Sequence, residues 1–100
     1  MIKHIVLMKM NGGMNDTIVA NMQRYADRIR EQIDEVKSYA LVPNEAGGSQ
    51  GYNWAILSSF ESEADIDTYK VAPLHREFVE YCDPYTEDFL TLDYHAAGGE

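Results

Sequence analysis

Apolar and polar residues alternate from Ile2 to Met10, with His4, Val6, Met8 and Met10 on one side and Ile5, Leu7 and Lys9 on the other. A period of two is that of a strand, and here both sides are largely apolar. Asn11, Gly12 and Gly13 turn the chain, and Asn15 or Asp16 can cap the helix that follows by accepting from the free amides of its first turn. In that helix Ile18, Met22, Tyr25, Ile29, Ile33 and Val36 recur at helical spacing, opposite Gln23, Arg24, Asp27, Arg30, Glu31 and Asp34. This predicts a surface helix with one buried stripe, used for core packing. Ser38 to Val42 reads as a short strand ended by Pro43, and the glycine-rich Asn44 to Gly51 as a flexible hairpin loop. Tyr52 to Phe60 reads as a third strand, with Trp54, Ile56, Ser58 and Phe60 facing away from Asn53, Ala55, Leu57 and Ser59.

Ser62, Glu63, Ala64 and Asp65 carry the pattern of a helix start. That helix runs through Ile66 and Tyr69 to Pro73, whose ring cannot continue it and biases Ala72 away from helical angles. Proline is well suited to the first turn of a new helix, so a second segment with Leu74, His75, Phe78, Val79 and Cys82 restarts there and stops near Asp83 and Pro84. A turn at Tyr85 to Asp88 leads to a last strand, Phe89 to Tyr94. The order strand, helix, strand, strand, helix, strand is the split βαβ arrangement, an α+β domain with a four-stranded antiparallel sheet and both crossovers on one face. The other face would carry Ile5, Leu7, Ala55, Leu57, Leu90, Leu92 and Tyr94 with nothing in the chain to cover them. Exposed apolar surface of that extent predicts a homodimer packed sheet against sheet, a closed barrel with its helices outside.

The chain of 100 residues makes one domain, taken as residues 1–95 with a flexible tail at 96–100. Its formal charge is −9, without a basic cluster, which speaks against nucleic-acid and membrane-surface partners. No run approaches a membrane span, and Lys9 with the following turn breaks any leader-like pattern at the start. Cys82 is the only cysteine and sits beside apolar neighbours, as expected of a buried thiol in a reducing cytoplasm. Asn44 to Gly51 lacks the spacing of a phosphate-binding loop and has no lysine, and no redox-cofactor motif occurs elsewhere. His4, His75 and His95 lie in distant segments without ligand spacing, so neither a metal nor a cofactor is expected.

The only stretch with visible chemistry is Asp67 to Phe78, DTYKVAPLHREF. On an unbroken helix Tyr69 and His75 would point about 120° apart at roughly 100° per residue, but the break at Pro73 can turn both tips into one space. The layer between sheet and helices would then combine His4, Val6, Met8, Trp54 and Ile56 with Tyr69, His75 and Phe78. This apolar and aromatic mixture with a few polar tips suits a small hydrophobic or aromatic ligand. It equally suits an ordinary core with hydrogen-bonded histidines, and spacing does not decide between them.

HIVLMKM, YNWAILSSFES, TYKVAPLHREF and the terminal LDY together resemble the stress-responsive dimeric α/β barrel (Dabb) family over residues 2 to 95. The resemblance implies a ferredoxin-like βαββαβ unit paired into a dimeric α/β barrel. More distantly the chain is similar to the plant olivetolic acid cyclase branch, which closes a linear polyketide by aldol condensation. That likeness implies His75 as general base and Tyr69 as the group that hydrogen-bonds a developing oxyanion or positions the carbonyl. Two departures, Ala72 and Trp54 where that cyclase has histidines, imply a different substrate. The expectations are therefore a cofactor-free enzyme acting by a histidine base, a ligand-binding or stress-protective dimer without turnover, or a cofactor-independent monooxygenase.

Overall fold

The computed structural model describes residues 1–97. Its elements are β1 (Ile2–Met10), α1 (Asp16–Gln32), β2 (Ser38–Pro43), β3 (Trp54–Phe60), α2 (Glu63–Val71), α3 (Pro73–Cys82), a 3-10 turn (Asp83–Tyr85) and β4 (Thr86–His95). The strands form one antiparallel sheet in the order β2-β3-β1-β4. This is the ferredoxin-like βαββαβ fold, as the order of elements predicts. β1 is central: Ile5 lies between Leu57 of β3 and Leu92 of β4, and Val6 between Ile56 and Thr91.

Local chemistry accounts for most boundaries. The Asn15 side chain accepts from the Ile18 amide at 2.9 Å and starts α1. The helix stops at Gln32, short of the end of its apolar stripe, because Ile33 leaves helical angles; Ile33 and Val36 stay buried in the turn that follows. Ser62 caps α2 by accepting from Asp65 N–H at 3.2 Å. Between α2 and α3 Ala72 takes φ −62° and ψ 135°, the extended geometry that a following proline favours, and Pro73 opens the new helix. The third strand begins at Trp54, two residues later than its alternation predicts, since Asn53 is drawn off to bond the Met10 backbone through both ends of its amide. The last strand is longer than predicted and starts at Thr86, directly after the 3-10 turn; its register shifts between Lys9 and Met10.

The helices cover one face of the sheet. Under them lie Ile2, His4, Met8, Met10, Tyr39, Leu41, Ile56 and Phe60 from the strands and Met22, Ala26 and Ile29 from α1, all buried. The opposite face carries Leu57, Leu90, Leu92 and Tyr94, each more than 40% exposed in the single chain. The cross-strand pairs Ile5 with Leu92 and Leu7 with Leu90 place these side chains on one surface. Of the expected tail, Ala96 is held by its N–H on the Met1 carbonyl at 2.9 Å, and residues 98–100 lie outside the described residues.

Candidate functional site

The break at Ala72 does what an unbroken helix could not. Tyr69 in the last turn of α2 and His75 in the first turn of α3 meet with ring centroids 4.2 Å apart, and both line one cavity of about 300 Å³ between helices and sheet. The His75 Nδ1 atom lies 3.1 Å from the Lys70 carbonyl, across the break. A carbonyl can only accept, so the bond places the ring proton on Nδ1 and leaves Nε2 as a bare acceptor. Partial burial lowers the pKa of His75 from its ordinary 6.5; the Lys70 carbonyl opposes that shift, while the charges of His4 and Lys70 add to it. His75 is thereby kept as the neutral imidazole a general base requires.

Tyr69 is 2% exposed, and its hydroxyl lies 2.7 Å from that of Tyr39, which is buried on β2. Burial pushes the Tyr69 phenol up to about 12, and the bond to Tyr39 works against the rise. Tyr39 is raised well above 10, first by burial and then by Tyr69. Both are therefore protonated donors. Two hydroxyls carry two hydrogens and use one between them, so the pair has one left to offer a ligand.

Of the other residues expected at the site, His4, Val6, Met8, Ile56 and Phe78 all line the cavity. Trp54 does not: at the start of β3, opposite Met8 and Pro43, it packs against the edge of the core instead. Phe78 forms a wall backed by Tyr25, whose ring stacks on it at 5.5 Å. His4 faces Tyr69 edge-on at 6.2 Å, and its Nδ1 bonds the Asp93 carboxylate of β4. Val79 and Phe89, 51% and 61% exposed, line the cavity where it meets solvent.

Tyr39 and Asp93 are two side chains, in contact with the expected site residues, to which the sequence assigned no role. Tyr39 carries a usable signal, since alternation within Ser38 to Val42 puts it and Leu41 on one face of that strand. Asp93 stands in the terminal LDY that carries the resemblance, but its partnership with His4 follows only from the register that sets residue 4 against residue 93.

Fold and cavity together define a ferredoxin-like α/β domain with a small-molecule-sized hollow behind its sheet. The sequence profile of the Stress responsive A/B Barrel Domain matches residues 2–96, and the chain belongs to that family. Among solved structures it is similar to a dimeric ferredoxin-like protein of unknown function from Thermobifida fusca, with 21% identity, a TM-score of 0.81, and 95% of this chain and 90% of that one covered. A Dabb family protein with a ferredoxin-like fold from Mesorhizobium loti shares 22% identity at a TM-score of 0.79, over 97% of both chains. Hydroxynitrile lyase from Passiflora edulis shares 20% at 0.81, over 93% of this chain and 90% of that one. At these identities the likeness is one of fold. No curated protein matches the sequence significantly.

Proposed function

We propose that two copies pair through the open sheet face and that each cavity receives a small hydrophobic or aromatic carbonyl compound, from which His75 takes a carbon-bound proton without a cofactor. The carrying observation is the His75 ring, 4.2 Å from Tyr69 in an apolar hollow, with its Nδ1 proton committed to a backbone carbonyl. In this reading Nε2 accepts the proton from the carbon next to the ligand carbonyl. The electron pair moves onto the carbonyl oxygen, where the spare hydrogen of the Tyr39–Tyr69 pair meets the developing charge. The enolate then takes a proton back from the imidazolium or attacks a second carbonyl, as in aldol-type cyclase or lyase chemistry. That a Passiflora edulis protein of this fold is a hydroxynitrile lyase supports the lyase class.

Pairing is supported by the dimeric Thermobifida fusca protein of the same fold and by the apolar side chains of Leu57, Leu90, Leu92 and Tyr94 left exposed on the open face. Strand register sets Ile5 against Leu92 and Leu7 against Leu90 at the centre of that face, and keeps Lys3, Lys9 and Asp88 toward its ends. A reducing cytoplasm suits the single buried thiol. One observation favours binding without turnover, the alternative reading: the Tyr69 hydroxyl is already engaged by Tyr39. Acetophenone in D₂O separates the two. Exchange of its methyl protons above the buffer rate, lost in His75→Ala with the dimer intact, is the expected result. Binding seen by NMR with no exchange leaves a sequestering protein, and absence of both removes the proposal.

A further inference from the structure

His4 is a buried titratable group that the proton transfer above does not use, and its setting differs from that of His75. It stands at the centre of the sheet on β1, 4% exposed, with Ser58 Oγ donating to its backbone carbonyl at 2.7 Å and the rings of Phe60 and Tyr69 edge-on at 6.0 and 6.2 Å. Two aromatic rings thus flank the imidazole, and Ser58 fixes the backbone that carries it. Its Nδ1 is taken by Asp93, a carboxylate that accepts the Nδ1 proton and leaves Nε2 as the free nitrogen. Among the described residues nothing bonds Nε2, yet no buried side-chain nitrogen or oxygen lacks a partner. Nε2 is therefore not sealed in the core, and His4 lines the cavity it shares with Tyr69 and His75.

The cavity consequently has two polar poles on an otherwise apolar wall. One is His75 with the tyrosine pair. The other is an imidazole backed by a carboxylate, which orients the ring and offsets charge arriving at Nε2. Asp93 is about 44% exposed and reaches solvent behind the ring, so the pair stays solvated on one side while it presents Nε2 on the other.

We infer that His4, positioned by Asp93, is the specificity residue of this site: it accepts a hydrogen bond from a hydroxyl on the ligand, so the preferred ligands carry two oxygen functions, a carbonyl for His75 and Tyr69 and a phenolic or enolic hydroxyl for His4. This rests on the cavity being the ligand site proposed above. A hydrogen bond to a charged or charge-backed group contributes about 1.5–3 kcal/mol, or roughly 10- to 100-fold in affinity.

The test compares acetophenone with its 2-, 3- and 4-hydroxy isomers, which set the hydroxyl at three distances from the carbonyl. At least one isomer binds the wild-type dimer about tenfold or more tightly than acetophenone, and its absorption band moves toward that of the phenolate as the proton is shared with Nε2. In His4→Gln the affinity ratio falls to about one and the band shift disappears. Asp93→Asn, a change at a half-exposed position that the fold tolerates, keeps an acceptor for Nδ1 but not its charge; it reduces both ratio and band shift. Equal binding of acetophenone and all three isomers to wild type overturns the inference and leaves the cavity reading standing. A preference that survives both substitutions also overturns it, whereas failure of all four compounds to bind removes the reading on which it rests.

Discussion

Removing one hydroxyl from the Tyr39–Tyr69 pair costs more than removing both. The two oxygens lie 2.7 Å apart, and their residues are 3% and 2% exposed, so each hydroxyl depends on the other. Tyr39→Phe keeps the ring in its place, 5.9 Å from that of Tyr69, but leaves the Tyr69 hydroxyl buried without its partner. The desolvation left uncompensated is about 1–3 kcal/mol, and Tyr69→Phe has the mirror effect on Tyr39. The double substitution leaves neither hydroxyl and is close to neutral. With both single costs cancelled in the double variant, a double-mutant cycle should return a coupling of about 2 kcal/mol or more in magnitude. Urea unfolding followed by the fluorescence of Trp54, the only tryptophan, measures all four proteins. Protomer concentration must be held fixed, since pairing adds to the apparent stability. In thermal melts each single variant should lose several degrees, at about 4–8 °C per kcal/mol for a domain of this length. Additive single effects would refute the reasoning: they would mean that each stranded hydroxyl finds water in the adjoining cavity, and the pair would then hold no spare hydrogen in a fixed direction.

Burial lowers the pKa of His75 below 6.5, so the folded chain favours the neutral ring. This gives stability that is complete above the unfolded value of 6.5 and is lost as pH falls through the lower folded value. The pH profile of ketone exchange should have its acid limb below 6.5; a limb above it would contradict the burial argument. Leu92→Asp places a carboxylate among Ile5 and Leu90 on the open face, at a cost of several kcal/mol if that face is dry. Light scattering should then report a single chain mass, and a persisting dimer would move the interface elsewhere. Cys82 is 7% exposed, and burial pushes its thiol up to about 12. Dithionitrobenzoate at pH 8 should label it promptly only after urea is added, and equally fast labelling of the native protein would contradict its burial.

What the chain discloses before folding depends on how local each cause is. Alternation in β1 and β3 sorted His4, Val6 and Met8 from Ile5 and Leu7 because the period of a strand is a property of neighbouring residues. The caps at Asn15 and Ser62 and the restart at Pro73 were legible for the same reason, and the break led directly to the meeting of Tyr69 with His75. Family resemblance supplied roles for those two residues and included Asp93 in its terminal LDY without giving it one, and it passed over Tyr39. The partnership of Asp93 with His4 joins opposite ends of the chain through strand register, which no local pattern encodes. Trp54 was misplaced because parity fixes the side of a sheet that a residue faces, not its depth along the strand; at the first position of β3 it falls short of the hollow. The hollow itself is a matter of how side-chain volumes sum across all four strands, α2 and α3, and periodicity carries no information on that.

The position of β1 also has a consequence for how the molecule is made. Ile2 pairs with Phe60 on one side and with His95 on the other, so within this domain the strand made first has to wait for the strand made last to complete its hydrogen bonds. Bringing such remote segments together is slow, and a nascent chain that ends before residue 86 holds a bare, apolar strand edge. Chaperone contact during synthesis would accordingly concentrate on Ile2 to Met10, and release would follow the arrival of residues 86–95.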